Sequence, residues 1–569
     1  MHTPVTNSLP GESSVPSMAV TAAWILIWAL VLIGFVQATS RIALMDPDEG
    51  RNAEVAREMA VSGDFVVPHL NGLPYLDKPV FLFAASALSI RALGADELAA
   101  RLPTLVFSLG TVVLVTLFGW LRFGHRTGLI AGMMLASSPI VLAFAGTVIF
   151  DAVLMFWVSC AAIAFHLALE QAHRGWCLAG WTAVGFAVLT KGPIGLLLPL
   201  LIGVGEAIAC GAPLRRLFCW PGLLAFLLLV GPWLLAVTLR HPDFPHYAFV
   251  RETFERVATD SMQRTGPIYY FIPILFAGAF PWVTLLLAGI PRLAAFWRQR
   301  RQDERFLLLW LLLPILFFSL SQSKRPGYIL PVIPALSLLC ARILQVSPAS
   351  LRPALWIAAP ILAALGAWLL ATPESAASLI RESPAIAEKA LDVAPYLGAG
   401  LLGAAAFCLS GLRWRNAGFT GLALVPLVLA LGSEGMLTQV GEQRSARELA
   451  QAIRGARQGP GQVVGVVAYP PSLAFYLGQN LMLSTYNGSE TRSNYIEGLT
   501  TRLRGIPDSS LKPFHWWKKE LQHCPRNTVF LLRTRNGWEN ERRQLSAKLP
   551  LLYRDNKYEA YGPCGARDG

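Results

Sequence analysis

Acidic and basic side chains border several long apolar runs of this sequence, and such residues are costly at membrane depth unless they are paired or used. The first cluster, at 46–51, directly follows the first apolar run. Its spacing predicts a helix N-terminus, with Asp46 as the N-cap and Glu49 completing a capping box. The cap does not need Asp48, which shares a helix face with Arg51. Asp48 is therefore a candidate catalytic carboxylate, and Arg51 a candidate ligand-binding cation.

Four further cations lie in short segments that border apolar runs on one side of the predicted bundle. A turn in which Asp77 pairs with Lys78 or caps a helix is one interpretation of the segment 75–79. Anchoring at the interface explains any one of these cations taken alone. Four of them on one side favour phosphate binding, which is an ordinary use of Lys and Arg. The four are Lys78, Lys191, Lys324 and Arg325.

Two further sets of residues have open interpretations. Asp151 opens an apolar run, so it is either an N-cap or a second candidate catalytic carboxylate. His246 and Glu252 lie in a polar loop and are candidate metal ligands. Their spacing is not diagnostic of a metal site, and a solvated loop is the alternative. The sequence alone therefore leaves a divalent metal open.

The composition is that of a membrane protein. Hydrophobic residues make up 54% of the 569 residues and charged residues only 15%, whereas soluble chains carry about 25% charged residues. The formal net charge of +13 would suggest nucleic acid in a soluble protein. Here it follows from Lys and Arg in short loops, which set the orientation of membrane helices. We therefore expect membrane lipids, and no nucleic acid, as partners.

The apolar runs predict about thirteen transmembrane helices. The apolar run 79–93 is shorter and contains Arg91, so it predicts a helix lying at the interface, in the first outer loop. The thirteen predicted spans are 18–38, 98–121, 127–148, 151–170, 177–192, 194–210, 219–238, 268–290, 306–321, 328–344, 354–372, 392–411 and 417–437.

Alternate loops between these spans are short and basic, which places them and the N-terminus in the cytoplasm. The longer segments of mixed charge then lie outside, and they include the outer loop 39–97. Residues 1–437 are expected to form the transmembrane catalytic domain, and 438–569 a soluble domain in the periplasm. Within the latter, strands at 463–469 and 528–534 and helices at 445–457 and 536–548 predict an α/β fold.

The chain contains eight cysteines. Cys524 and Cys564 are the two in the soluble tail, which faces an oxidising compartment if it lies outside. We predict a disulfide between them, and two free thiols buried apart are the alternative. The other six fall in or beside apolar spans and are expected to act as small apolar side chains.

Several motifs resemble those of known families. The segment Asp48-Glu49-Gly50-Arg51-Asn52-Ala53-Glu54, with Met59 and Ser62-Gly63-Asp64, resembles the protein O-mannosyltransferase superfamily of GT-C membrane glycosyltransferases. Three other segments resemble bacterial lipid A aminoarabinose transferases more narrowly. These are Leu76-Asp77-Lys78-Pro79, Leu189-Thr190-Lys191-Gly192 and Lys324-Arg325-Pro326-Gly327-Tyr328-Ile329-Leu330-Pro331.

The resemblance implies a GT-C-like enzyme of the bacterial inner membrane, working as a monomer with no required cofactor. Its reaction would move 4-amino-4-deoxy-L-arabinose from undecaprenyl phosphate to a phosphate of lipid A, which gives resistance to polymyxin-type peptides. Asp48 would be the essential carboxylate, and the cavity residues would be Tyr75, Lys78, Asp151 and Tyr328. Thr253 stands where such enzymes often have a His, which puts a metal site that uses that His in doubt.

Three alternatives remain at this level. Transfer to a protein hydroxyl, as in O-mannosylation, would require Asp48 to act as a base. A lipid flippase or transporter is a different class, and it would be expected to show paired repeats, which the sequence does not contain. A lipid-binding relative without catalysis would be indicated if the carboxylates of the outer face were dispensable.

Overall fold

The chain forms a helical bundle followed by a small α/β region, as predicted from the sequence. The computed structural model describes residues 17–248, 266–378, 380, 383–535 and 537–565. The predicted class, a polytopic α-helical membrane protein with a small C-terminal α/β part, is confirmed.

Helices occupy each of the thirteen predicted segments. Among the described residues, eight helices are long and apolar enough to cross a membrane, or nine if a bent pair counts as one span. The number of thirteen crossings therefore stays a prediction. The first helices are α1 Met18–Arg41, α2 Asp48–Ser62, α3 Phe81–Leu93, α4 Glu97–Phe123, α5 His125–Ala136, α6 Pro139–Ala145, α7 Phe150–Gln171, α8 Arg174–Lys191, α9 Ile194–Cys210, α10 Trp220–Arg240 and α11 Phe244–His246.

The second half of the bundle is more broken. The predicted span 268–290 contains two short helices, and a 3-10 turn at Pro326–Val332 leads into the next long one. The helices are α12 Phe271–Gly278, α13 Val283–Ala288, α14 Ile290–Arg298, α15 Gln302–Leu320, α16 Ile333–Val346, α17 Leu351–Ala371, α18 Pro373–Ser378, α19 Pro384–Ser410 and α20 Arg415–Arg444. The last of these ends at Arg444 rather than at the predicted 437.

Helix α2 is largely buried. Its apolar residues Ala53, Val55 and Ala56 are fully buried. They belong to one hydrophobic core with residues of α3 and of the C-terminal region. Arg91 of α3 donates from Nε to the Ala60 carbonyl at 2.7 Å, which ties the two helices together. The outer loop and the C-terminal region therefore share a core.

The predicted capping box at the start of α2 is wrong. Pro47 occupies the N-cap position. The Asp46 carboxylate instead accepts hydrogen bonds from the Ser472 backbone N–H at 2.9 Å and from the Ser472 hydroxyl at 2.7 Å. Glu49 forms a buried ion pair with Arg101 of α4 at 2.7 Å. Both carboxylates are therefore used in tertiary contacts, and the partner of Glu49 is a cation.

A hairpin of β1 His69–Leu70 and β2 Leu73–Pro74 precedes α3. The C-terminal region contains a six-stranded sheet, whose strands are β3 Val463–Val466, β4 Met482–Thr485, β5 Leu511–Pro513, β6 Val529–Arg533, β7 Leu551–Arg554 and β8 Tyr558–Tyr561. Their order in the sheet is β5-β4-β3-β6-β8-β7, and the four strands β3, β4, β5 and β6 are parallel to one another. Strands β4 and β5 therefore lie on one side of β3, and β6 lies on the other. The helices are α21 Arg447–Ala456, α22 Pro471–Leu477, α23 Asn494–Gly498, α24 Thr500–Arg504, α25 Trp516–His523 and α26 Glu539–Ser546.

Two disulfides are present. One joins Cys524 to Cys564, the pair expected from the sequence, with a Cα–Cα distance of 5.4 Å. The other joins Cys177 to Cys219, at the start of α8 and just before α10. The expectation that these two act only as small apolar side chains is wrong, because the packing of α8 beside α10 brings them together.

A buried ionic cluster ties four helices together at the end of the bundle away from the C-terminal region. His166 of α7 contacts Glu206 of α9 through Nδ1 at 2.6 Å and Asp303 of α15 through Nε2 at 2.9 Å. Arg122 of α4 pairs with Asp303 at 2.7 Å and with Glu170 at 2.6 Å. Each charge has an opposite neighbour, which is how such groups are tolerated inside a bundle.

Candidate active site

The predicted site residues lie at helix ends on one side of the bundle. Asp48 begins α2, Asp151 is the second residue of α7, and Lys191 is the last residue of α8. Tyr328 lies in the 3-10 turn before α16. Successive helices run in opposite directions, so these alternate starts and ends meet on one face of the bundle.

Asp48 is held between two guanidinium groups. Arg51 donates from Nη2 to Asp48 Oδ1 at 2.7 Å, and Nη1 of Arg325 lies 3.8 Å from Asp48 Oδ2. The Asp48 side chain remains 44% exposed, whereas that of Arg51 is 12% exposed. Tyr75 is buried below, with its ring centroid 5.7 Å from the Arg51 guanidinium carbon. The carboxylate is therefore oriented by cations while remaining accessible to a ligand.

Asp151 and Lys191 form a second, more buried pair. Lys191 Nζ lies 2.6 Å from Asp151 Oδ1, and the two side chains are only 15% and 11% exposed. The same ammonium lies 5.1 Å from the centroid of the Tyr328 ring. Ile149 is the N-cap residue of α7, so the interpretation of Asp151 as an N-cap is wrong. A Cβ at Gly327 would come within 2.7 Å of Asp151 Oδ1, so this position requires glycine.

Lys78 and Lys324 differ in their surroundings. Lys78 Nζ donates to the Asp77 carbonyl at 2.6 Å and borders a large cavity. Lys324 is buried and donates to the Ser321 carbonyl at 2.6 Å. Lys78 is therefore placed to meet a ligand directly, while Lys324 supports the loop between α15 and the following turn.

Asp77 binds partners that lie far away in the sequence. Its carboxylate accepts from the backbone N–H groups of Asn494 at 3.2 Å and Tyr495 at 2.9 Å, at the start of α23. It also accepts from the Tyr247 hydroxyl. The predicted pairing of the Asp77 carboxylate with Lys78 is therefore wrong, and the alternative, that Asp77 caps a helix, is confirmed. Asp77 caps a helix of the C-terminal region and thereby fixes the loop that contains Lys78.

The cavity beside Lys78 has a volume of about 660 Å³. Its cationic end contains Lys78 and Lys191, with Tyr328 beside them. Its remaining walls are largely aliphatic and aromatic. They include Leu196, Leu197, Leu200, Leu227, Val230, Leu234, Phe317 and Phe318. A long apolar chamber with cations at one end suits a lipid that has an anionic head group.

The metal interpretation stays a prediction. His246 is the last residue of α11, and Glu252 lies outside the described residues. In the part of the chain that the structure describes, no three His, Cys, Asp or Glu side chains are grouped to hold a metal ion.

Arg492 is a site neighbour that the sequence did not single out. Arg51 Nη1 donates to the Arg492 carbonyl at 2.8 Å, so the cation that holds Asp48 is itself held by the C-terminal region. The two residues are 441 positions apart. No local pattern in the sequence relates them.

Comparison with known proteins identifies the family and the fold. The profile of the dolichyl-phosphate-mannose-protein mannosyltransferase family matches residues 77–235. The crystal structure of ArnT from Cupriavidus metallidurans bound to undecaprenyl phosphate superposes with a TM-score of 0.82 at 26% identity, covering 96% of this chain and 99% of that one. Its apo form gives a TM-score of 0.80.

Relatives with named activities identify the class of enzyme more closely. The undecaprenyl phosphate-alpha-4-amino-4-deoxy-L-arabinose arabinosyl transferase of Erwinia tasmaniensis is 32% identical over 407 residues, which is 68% of this chain and 72% of the relative. That of Sodalis glossinidius is 36% identical over 310 residues, 52% and 54% of the two chains. The fold and these relatives show that the chain is a membrane glycosyltransferase that uses a polyprenyl-phosphate-linked sugar. The chain belongs to the family of undecaprenyl phosphate-4-amino-4-deoxy-L-arabinose arabinosyl transferases.

Proposed function

We propose that this protein transfers 4-amino-4-deoxy-L-arabinose from undecaprenyl phosphate to a phosphate of lipid A, and so gives resistance to polymyxin-type peptides. The observation that supports this most is the apolar cavity with Lys78 and Lys191 at one end. Its walls suit a polyprenyl chain, and its cations suit the phosphate at the head of that chain. The names of the family members supply the sugar and the carrier.

In this proposal the donor's polyprenyl chain lies in the cavity, and its phosphate contacts Lys78 and Lys191. The sugar then extends toward Asp48, whose side chain is 44% exposed. Asp151 acts through Lys191, whose ammonium it holds at 2.6 Å. It is thus a positioning residue rather than a catalytic one.

The reaction is a displacement at the anomeric carbon. An oxygen of the acceptor phosphate forms a bond to that carbon, and the bond from the carbon to the undecaprenyl phosphate oxygen breaks. A phosphate monoester carries a charge of about −2 near pH 7, and the donor diester carries one negative charge. After transfer the modified acceptor is the diester and the carrier is the monoester, so charge balances without a proton transfer.

The residues therefore need to hold charge rather than remove a proton. Lys78 and Lys191 stabilise the negative charge that grows on the leaving phosphate. Arg325, beside Asp48, is placed to attract the accepting phosphate. Asp48 is already held by two guanidinium groups and can accept a hydrogen bond from the sugar or pair with its ammonium. No cofactor is required by this scheme.

We further propose that the enzyme is a monomer of the inner membrane with its N-terminus in the cytoplasm and its C-terminal region in the periplasm. The alternation of short basic loops with longer segments of mixed charge supports this orientation. Helix α20 runs from Arg415 to Arg444, so reporter fusions at its two ends should lie on opposite sides. Reporters on the same side would contradict this topology.

The decisive experiment for the proposed function is the mass of lipid A from a strain that lacks its own transferase. Expression of this protein should add the mass of one or more aminoarabinose groups and raise polymyxin resistance. Lys78→Ala should abolish both effects. Lys389→Ala, which changes an exposed cation paired with Asp392 on α19, is the matched control and should keep them. An unmodified lipid A with wild-type protein in the membrane would contradict the proposal, and mannosylated protein would favour the alternative acceptor.

A further inference from the structure

A second, smaller crevice lies where the C-terminal sheet meets the start of α2. It has a volume of about 180 Å³, and Asp46 and Pro47 line one side of it. Residues that follow β3 and β4, together with the last residue of β6, line the other. The parallel strands divide between β3 and β6, because β4 and β5 extend the sheet in the opposite direction. Open α/β sheets bind ligands outside the carboxyl ends of their strands at such a point.

Four cations border this crevice, and three carboxylates lie among them. Each carboxylate already accepts hydrogen bonds from protein groups. Asp46 accepts from Ser472, Glu490 accepts from the Thr485 hydroxyl at 2.6 Å, and Asp555 accepts from the backbone N–H groups of Lys557 and Tyr558. The cations are Arg444, Arg492, Arg533 and Lys557.

Two of these cations, Arg492 and Arg533, are arginines that line the crevice. Arg492 is exposed and Arg533 is half-buried. Within the described part of the chain, neither guanidinium forms an ion pair. A guanidinium can make two parallel hydrogen bonds to a phosphate, which makes Arg the usual residue for such recognition. The charge and geometry of the crevice therefore favour a phosphate.

Arg51 links the crevice to the Asp48 carboxylate of the candidate active site. Arg51 donates one hydrogen bond to the Asp48 carboxylate and another to the Arg492 carbonyl. Asp46, in the crevice wall, is two residues before Asp48. A ligand that reaches both Asp48 and the crevice would need two anionic groups, one near Arg325 and one near Arg492 and Arg533.

We propose that this crevice binds a second phosphate of the acceptor, distinct from the phosphate that receives the sugar. This assignment rests on the proposed function, in which the acceptor is lipid A. The C-terminal region thereby selects and orients the acceptor, while the bundle binds the donor.

The test compares binding of a bisphosphorylated and a monophosphorylated glycolipid, with the same acyl chains, to the full-length protein in detergent. The variant is Arg492→Asn with Arg533→Gln, since Asn tolerates the left-handed backbone at position 492, where φ is 56°. Arg543→Gln, an exposed arginine of α26, is the matched control. Undecaprenyl phosphate affinity should be unchanged in all three proteins, which shows that each is folded.

Wild type and the control should bind the bisphosphorylated glycolipid about ten-fold more tightly than the monophosphorylated one, the size expected for a contact to a charged group. The double variant should bind both equally. Lys557→Gln, at an exposed position, should reduce the preference and serves as the second variant if the first does not fold. A wild type without the preference, or variants that keep it fully, would overturn the subsite.

A transfer assay with the same lipids separates the two proposals. If wild type transfers no sugar to either glycolipid, the proposed function fails, while the binding comparison still decides the subsite. If wild type transfers sugar, the double variant should raise KM for the bisphosphorylated acceptor about ten-fold and leave kcat nearly unchanged. A reduced kcat with an unchanged KM would contradict the subsite.

Discussion

The Asp151–Lys191 pair allows donor binding to be tested separately from folding. In Asp151→Asn the ammonium of Lys191 remains at the cavity but loses its carboxylate partner at 2.6 Å. In Lys191→Met the carboxylate of Asp151, whose side chain is only 11% exposed, loses that cation. Removing one member of a buried ion pair costs about 3–5 kcal/mol. Both variants should therefore be destabilised in the absence of donor.

Undecaprenyl phosphate should distinguish the two variants. Its phosphate can replace the missing carboxylate beside Lys191 in Asp151→Asn, whereas Lys191→Met offers it no cation at this point. A lipid present at a hundred times its Kd stabilises a folded protein by about 2.7 kcal/mol. We expect the lipid to stabilise Asp151→Asn by at least this amount, as it does wild type, and Lys191→Met by much less.

The assay is the fraction of protein that remains monodisperse after heating, measured with and without undecaprenyl phosphate. Asp392→Asn, at an exposed ion pair on α19, is the matched control and should respond to lipid as wild type does. Equal stabilisation of wild type and both variants by the lipid would show that Lys191 does not contact the phosphate. The proposed donor position would then be wrong.

Three further predictions concern Asp48, Asp46 and the C-terminal disulfide. Asp48→Asn should lower the transfer rate by about 10²–10³ with undecaprenyl phosphate affinity unchanged, and a purified, monodisperse variant with the wild-type rate would rule out its role. Burial raises the pKa of Asp46 to about 7, against hydrogen bonds from Ser472 that lower it. The stability that this group contributes is therefore complete below its unfolded pKa of 3.8 and is lost as pH rises through about 7. The melting temperature should fall between pH 5 and 8 by less in Asp46→Asn than in wild type, and parallel curves would contradict this. Cys564→Ser opens a loop of 40 residues and should lower stability to denaturant by roughly 3–4 kcal/mol, while an unchanged denaturation midpoint would contradict the estimate.

The positions of the main site residues could be predicted from the sequence, because they follow from the apolar runs themselves. Asp151 and Lys191 lie at opposite ends of neighbouring apolar segments, so alternating helix directions bring them to one face. Short helices at 81–93 and 48–62 could also be recognised from composition and spacing. Apolar runs and residue spacing are local features of the sequence, and they largely determine the helical bundle.

The errors arise where a side chain has a partner far away in the sequence. Asp46 suits an N-cap by spacing, but Ser472 lies 426 residues away and binds its carboxylate. Asp77 likewise meets Tyr495, 418 residues away. Cys177 and Cys219 are 42 residues apart and were expected to be unbonded. Tertiary contacts of this kind override local preference, and no periodicity in one sequence reveals them.

In the proposed mechanism, Lys78 contacts the phosphate of the lipid carrier. The most direct test of this contact is the Kd of undecaprenyl phosphate for the purified wild-type protein, for Lys78→Ala and for the matched control Lys389→Ala. A hydrogen bond to a charged group is worth about 1.5–3 kcal/mol, so Lys78→Ala should bind about ten-fold to a hundred-fold more weakly, with the control unchanged. A Lys78→Ala protein that is folded and binds undecaprenyl phosphate with the wild-type Kd would contradict the account.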